Sequence, residues 1–429
     1  MGIRQKLPKD VQNFNKLRTE NFLYVDKTKY LHKLINEGFS YFLSRPRRFG
    51  KSLLISTLEE LFKGNKKLFK DLYIYDKWDW ENKHPVLKID FSNRSYRTNK
   101  NLEKSLNYFL DKSAKEHGIS LIAELTSDKF EELIEKIHEK YDKKLVVLVD
   151  EYDKPIIDNI SKNNVLEENK TTLHDFYQIL KGQDEHLQFV FLTGVSKFAG
   201  TSIFSGLNST TDITLHEDYS TICGYSEEEL KENFFHFIEE LSIKENESFD
   251  ETLRAIKEFY NGYSWDGENF LYNPYSTILV FYFREFSNNW FDSGTPTFLI
   301  KLLKDKNDLD SVFNQTEISS HISISFETIN NINTNLLMFQ TGYLTVKKKE
   351  KFDRRISYKL AIPNEEVRES ISEYLLNAYT AYPLDNMEQL RLKMRKNILN
   401  KDGKAFELNI RELMANIPYQ LKDSKDESY

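Results

Sequence analysis

Two short runs hold the residues whose types and spacing are suited to chemistry. The first, Arg45-Pro46-Arg47-Arg48-Phe49-Gly50-Lys51-Ser52, closes on Gly-Lys-Ser, the ending of a loop that cradles phosphate. In such a loop consecutive backbone N–H groups point inward at the anion, and the following helix adds the positive end of its dipole. Gly50 permits the tight backbone approach. Lys51 would reach the terminal phosphates as a point charge, and the Ser52 hydroxyl would ligate Mg²⁺. Phe49 and Leu53 complete the expected contact residues. The pattern G-x-x-x-x-G-K-[ST] is broken at its start, where Arg45 replaces glycine, although Pro46 restricts φ and can hold the turn instead. Three guanidinium groups, Arg45, Arg47 and Arg48, stand within four positions and suit bidentate contact with phosphate. One would supply charge to the loop, and another could act across an interface between copies of the chain. A solvated basic turn is the plainer alternative.

The second run is Asp150-Glu151, about 100 residues further on, at the end of the aliphatic stretch "KLVVLVD". Mg²⁺ prefers a carboxylate at the end of a strand beside the loop, which suits Asp150. Glu151 next to it fits a residue that orients or deprotonates an attacking water. The alternative is a merely solvated acidic strand end. Thr193, closing "FVFLT", stands where a polar sensor of the terminal phosphate would sit, or is an ordinary strand-end threonine.

These residues need a scaffold that gathers them. "FSYFLS" (39–44) reads as a buried strand, and Leu54, Leu58, Leu61 and Phe62 follow helical spacing over 51–62. Strand, loop and helix therefore come in the order the loop demands. A helix is expected over 28–37, a strand over 84–92, and a helix over 128–141 opened by an Asp128/Glu131 capping box. Continuous apolarity over 144–153 and 187–197 suggests parallel strands buried on both faces, with a helix over 171–182 between them. Alternating strands and helices give an α/β class with a doubly wound, mostly parallel sheet. Beyond a Ser226/Glu229 capping box the pattern turns helical. A helix from about 325 and the hairpin "GYLTVKKKE"/"RRISYKLAI" then suggest a winged-helix-like module, and 365–429 reads as helical and charged, ending in a polar tail. An Asn-rich patch lies at 330–335. The expected domains are 1–222, a helical lid-like region over 223–310, the winged-helix-like module over 311–370 and a helical tail over 371–429.

Composition narrows the classes. Sixty Lys and Arg against 67 Asp and Glu give a net charge of −7, so the chain as a whole is no generic polyanion binder. The single cysteine, Cys223, rules out an intramolecular disulfide and a cysteine-based zinc site. The longest apolar stretch, "YSTILVFYF" (275–283), is about half of what spans a bilayer. A reducing, cytoplasmic setting without membrane contact is expected.

"LPKDVQNFNKLRTENFLYVDKTKYLHKLI", "YFLSRPRRFGKSLLISTLEELFKG", "VVLVDEYDKPI" and "FVFLTGVSKFAGTSIFSGLN" together closely resemble the AAA-ATPase-like family of prokaryotes, P-loop ATPases of the additional-strand, catalytic-glutamate type. The likeness continues through "DITLHEDYSTICGYSEEEL", "YNGYSWDG", "YNPYS", "WFDSGTPTFLIKLL", "FQTGYLTV" and "IPNEEVRES". It implies ATP and Mg²⁺ as ligands, Lys51 and Ser52 as the Walker A phosphate and magnesium residues, and Asp150 and Glu151 as the Walker B pair. Arg45 then looks like a family trait. Asp26 and Lys27 in "YVDKT" belong to the likeness without an evident role beyond starting a helix. Relatives of this kind usually continue into a PD-(D/E)XK nuclease-like domain. "MANIPYQLKDSKDESY" resembles its beginning, and the triplets Glu81-Asn82-Lys83 and Glu168-Asn169-Lys170 sit in polar segments, so the nuclease core is expected to be absent from this chain.

The leading expectation is Mg²⁺-dependent ATP hydrolysis that drives a conformational switch on a partner or nucleic acid. The alternative is a non-hydrolysing nucleotide- or DNA-binding module that regulates a nuclease-like partner. For that reading the basic run 346–355 would contact phosphates, unless it is an ordinary solvated hairpin. A small-molecule kinase is a third class, disfavoured because adjacent Asp150 and Glu151 suit water as the acceptor.

Overall fold

The computed structural model describes residues 5–160, 162–197, 210–290, 299–300, 303, 313–314, 316–319, 333–380 and 384–415. Parts of several expectations lie outside them: the stretch after Lys197 in "GVSKFAGTSIFSGLN", most of "WFDSGTPTFLIKLL", the helix start near 325 with the first half of the Asn-rich patch, and the polar tail.

Five parallel strands form the central sheet in the order β2-β3-β4-β1-β5: β1 (Ser40–Ser44), β2 (Val86–Asp90), β3 (Leu145–Asp150), β4 (Leu187–Gly194) and β5 (Thr211–Asp212). Every residue of β1 and β3 is buried, as their unbroken apolar runs require of strands covered on both faces. The helices of this unit are α1 (Phe14–Thr19), α2 (Thr28–Glu37), α3 (Lys51–Phe62), α4 (Asn99–Glu116), α5 (Thr126–Tyr141), α6 (Lys154–Ile157) and α7 (Asn163–Gly182). Helix α3 packs on β2, β3 and β4, α4 on β2, and α5 on β3. Because β4 intervenes between β1 and β3, the loop after β1 and the acids after β3 open at the same carboxyl edge, on either side of the Thr193 strand.

One boundary is corrected. No Asp128/Glu131 capping box forms, because α5 starts earlier, at Thr126, with Leu125 as an N-cap that supplies no side-chain bond. Asp128 thus falls inside the first turn, where a negative charge suits the dipole. Glu131 accepts from Gln183, and Glu132 turns back to accept the Ile122 and Ala123 N–H groups. Helix α7 also begins eight residues before the expected 171.

Helices α8 (Glu227–Glu245), α9 (Phe249–Tyr260) and α10 (Pro274–Phe283) build a second, smaller core on Phe234, Ile238, Ile256 and Phe281. The Ser226/Glu229 box closes as expected, and a second box, Ser248/Glu251, opens α9. Asn273 caps α10 through the Tyr275 and Ser276 N–H groups, with Pro274 in the first position. Then come β6 (Thr316–Ser319), α11 (Thr334–Thr341), the hairpin β7 (Thr345–Phe352) and β8 (Arg355–Ala361), α12 (Glu365–Thr380), α13 (Leu384–Leu399) and α14 (Gly403–Ala415). Strand β6 adds to the hairpin in an antiparallel sheet ordered β6-β8-β7. The main apolar core does not end with the α/β unit: Tyr263, Trp265, Trp290, Met338, Tyr343 and Val367 belong to it. Among the described residues no helix is long and apolar enough to cross a membrane.

Candidate nucleotide-binding site

Strand β1 delivers the chain into the loop at Ser44, and the Arg45 N–H donates to Gly194 O at 3.2 Å, tying the loop's first residue to the end of β4. Two loop residues have left-handed backbones, Arg48 (φ +67°) and Gly50 (φ +92°). Arginine resists this conformation by about 1–2 kcal/mol. The Arg48 guanidinium lies over the Tyr275 ring at 4.5 Å from its centroid, a cation–π contact that offsets part of the strain. Gly50 caps α3 with no side-chain bond, so the first-turn N–H groups of α3 have no partner from the cap. The Lys51 ammonium bridges the loop itself, donating to Arg45 O at 2.8 Å and Pro46 O at 2.9 Å.

Arg45 requires a correction. It is fully buried, and its guanidinium donates to the carbonyls of Ser44 (2.8 Å), Thr214 (2.9 Å) and Tyr219 (3.0 Å) while stacking 4.0 Å above Trp265. Burial lowers its pKa to about 10, which leaves it charged at neutral pH. Its side chain therefore anchors the loop from beneath and is not available to phosphate. Phe49 does similar work, meeting Tyr263 and Trp265 edge-to-face at 4.8 and 5.3 Å.

Beside this foundation lies a cleft of about 480 Å³, lined by Arg47, Arg48, Gly50, Lys51, Ser52 and Leu53 of the loop and α3, and by Asp90, Ser92, Glu151 and Lys154. The lining also includes the apolar Val11, Val25, Pro274 and Ile278. Asp150 is almost fully buried beside this cleft, held by the Thr193 hydroxyl at 2.7 Å. Thr193 thus touches the carboxylate at the end of the neighbouring strand rather than the cleft. Glu151 takes a left-handed backbone (φ +52°), another strained position at the site. Burial raises the Glu151 pKa, with Lys51 opposing. Burial also lowers that of Lys51, against the pull of Asp150, Glu151 and Asp153.

Sequence reasoning missed Asp153. It is buried, accepts the Val195 and Ser196 N–H groups at 2.9 and 2.7 Å, and is pushed up to about 6 by desolvation. The "YVDKT" segment also finds its physical role. Asp26 accepts the Thr28 and Tyr73 N–H groups, and Lys27 donates to the Glu229 carboxylate at 2.7 Å and to Thr221 O at 3.0 Å. The segment thereby fastens α2 to the cap of α8. The aromatic turns "YNGYSWDG" and "YNPYS" supply the partners of Arg45, Arg48 and Phe49. Their aromatic density was visible in the sequence, but periodicity carries no sign of which distant loop they meet.

The basic run 346–355 is partly committed within the protein. Lys347 donates to Pro363 O at 2.9 Å, with burial pushing its pKa down to about 8. Lys348 pairs with Glu350 at 2.9 Å, and Lys349 pairs with Glu217. Lys351, Arg354 and Arg355 at the tip are exposed.

An ion at this site would meet only oxygen donors, the Ser52 hydroxyl and the Asp150 and Glu151 carboxylates, a set that suits a hard cation such as Mg²⁺. Among the described residues no three acidic, histidine or cysteine side chains converge on one point.

Comparison with known proteins bears on the whole chain. The family described as Predicted AAA-ATPase matches residues 8–204. A protein of Azotobacter chroococcum mcd 1, described as an uncharacterized protein in the vnfD 5' region, is 39% identical over 417 residues, 97% of this chain and 78% of that protein.

Proposed function

The chain belongs to the AAA-ATPase-like family, and from that premise we propose that it binds ATP with Mg²⁺ and hydrolyses the γ-phosphate. The observation that carries this reading is the shared lining of one cleft by Lys51, Ser52 and Glu151 at the carboxyl edge of the sheet, with Asp150 beside them. Lys51 would leave the Arg45 and Pro46 carbonyls for the β- and γ-phosphates, while the loop and first-turn N–H groups of α3 hold the phosphate oxygens. Ser52 and Asp150 would hold Mg²⁺, which when bound offsets charge developing on the phosphates. Glu151 would accept the proton of the attacking water as its oxygen bonds to phosphorus. Burial raises the affinity of this carboxylate for a proton, which suits a base, and the oxygen bridging the β- and γ-phosphates leaves with ADP. Thr193 orients Asp150 in this scheme, and Arg47 and Arg48 meet the phosphate charge.

In the same reading residues 223–310 act as a lid over the cleft, which Pro274, Tyr275 and Ile278 help to line, and 311–370 as a winged-helix-like module. Loss of the γ-phosphate relaxes the arginines and shifts these regions relative to the sheet. The partner class we favour is nucleic acid or a nuclease-like protein, met by the exposed Lys351, Arg354 and Arg355.

The test is phosphate release from the purified chain with ATP and Mg²⁺. Glu151→Gln should bind ATP yet turn over ~10²- to 10⁴-fold more slowly, and Lys51→Ala should bind poorly. Wild-type protein that binds ATP and never releases phosphate would sink hydrolysis and leave a non-hydrolysing regulatory module.

A further inference from the structure

The loop lacks the glycine that ordinarily opens such a turn, yet it holds Arg48 at a left-handed angle. A contact from far along the chain bears on how it does so. The Trp290 indole N–H donates to Arg47 O at 3.1 Å, across 243 positions of sequence. A trans peptide is planar, with its C=O and N–H on opposite sides. Fixing the Arg47 carbonyl toward Trp290 therefore turns the Arg48 N–H the other way, away from Trp290, which is no part of the cleft lining.

Trp290 is itself held. Its backbone N–H donates to the carboxylate of Glu366 at 2.9 Å, and that fully buried carboxylate also accepts the Ser276 hydroxyl at 2.8 Å. Glu366 stands in the first turn of α12. Next to this chain of bonds, Gly342 meets the loop at Pro46. A Cβ built on Gly342 would fall 2.8 Å from the Pro46 Cβ, so only glycine allows α11 to end this close.

We infer that Trp290 and Glu366 are positioning residues of the phosphate loop: Trp290 sets the Arg47–Arg48 peptide, Glu366 sets Trp290, and phosphate binding is thereby linked to the seating of α12. This rests on the nucleotide reading of the cleft and adds residues outside the 8–204 family match. Linkage is reciprocal, so an anion that needs the Arg48 N–H turned inward also tightens the Glu366 end.

The experiment uses the full chain, a fluorescent ATP analogue with Mg²⁺, and hydrogen exchange followed by mass spectrometry. Trp290→Phe keeps an aromatic ring and removes the indole donor, together with part of the ring that packs against Tyr263 and Tyr343, a loss that the Trp80→Phe control shares. It should weaken analogue binding about five- to tenfold, the worth of one hydrogen bond to a strained loop. Nucleotide should slow amide exchange in the first turn of α12 in wild type and fail to do so in Trp290→Phe. Glu366→Gln, which retains an acceptor for the Trp290 N–H, should keep most of the affinity that Glu366→Ala loses, and it carries the test if Trp290→Phe does not fold. Trp80→Phe, which removes an indole bonded to Tyr75 O elsewhere in the core, is the control and should bind as wild type does. Equal affinity and equal α12 protection in Trp290→Phe, with only a lowered melting point, would overturn the inference while leaving the ATP reading intact. Wild type that binds no analogue would remove both.

Discussion

Asp153 shows how a single buried group can tune this site without touching the cleft. Its carboxylate has an ordinary value near 3.8 and is pushed up to about 6 in the fold by desolvation, with the Ser196 N–H and Lys51 opposing. The folded state therefore binds a proton more tightly than the unfolded chain. Between pH 4 and 6 folding takes up protons at this position, so its contribution to stability is present at low pH and is lost as pH rises through about 6. Asp153→Asn removes this term, and because both backbone bonds go to one oxygen, the amide oxygen can accept them in its place. The variant should be at least as stable as wild type at pH 7.5, by up to roughly 3 kcal/mol, and should show a flatter dependence of the urea midpoint between pH 4.5 and 7. A wild-type midpoint that Asp153→Asn parallels at every pH would rule this titration out. Nothing in the sequence marked Asp153 out beside Asp150 and Glu151, since its importance comes from two N–H groups past the end of β4. That Lys51 and Ser52 line the cleft could be anticipated from spacing alone, because their positions are local to one turn. Arg45 could not, because the direction of its side chain is set by the carbonyls of Thr214 and Tyr219.

Among the elements, those with a strong local code were readable. Strand β1 and α3 fall within a residue of expectation and β3 starts within one and ends three short of it, since continuous apolar runs and helical spacing are properties of the segment itself. The α8 capping box was equally plain. Helix α5 was misplaced at its start because the chain chose an earlier first turn and spent Glu131 and Glu132 on neighbouring segments. The role of Lys27 was invisible for the same kind of reason: its partner lies 202 positions away. That pair ties the N-cap of α2 to the first turn of α8, with side chains 9% and 21% exposed. A double-mutant cycle with Lys27→Met and Glu229→Gln should give a coupling of about 1–3 kcal/mol in urea unfolding, between the values for exposed and buried pairs. A coupling indistinguishable from zero would mean that solvent screens it and that the Thr221 carbonyl is the contact that matters.

The larger of the two apolar cores runs from the sheet to Trp265, Met338 and Val367, across residue 222. Ligand at the loop is then expected to stabilise regions on both sides of residue 222. At a concentration 100-fold above Kd, ATP with Mg²⁺ should add about 2.7 kcal/mol to unfolding. Thermal unfolding followed by tryptophan fluorescence and by far-ultraviolet circular dichroism should shift by the same number of degrees. Two transitions, of which only one moves with nucleotide, would show that the shared core does not couple the regions.

The strained turn at Arg48 has a consequence for how this site can be inherited. A glycine-rich loop keeps its shape wherever it is placed, so it can be shuffled between proteins as a self-sufficient cassette. Here the shape is leased from Tyr275, Trp265 and Trp290, and the loop and its distant supports must travel together. Recombination that swaps the second half of the chain would leave the eight residues 45–52 intact in letter and unshaped in space.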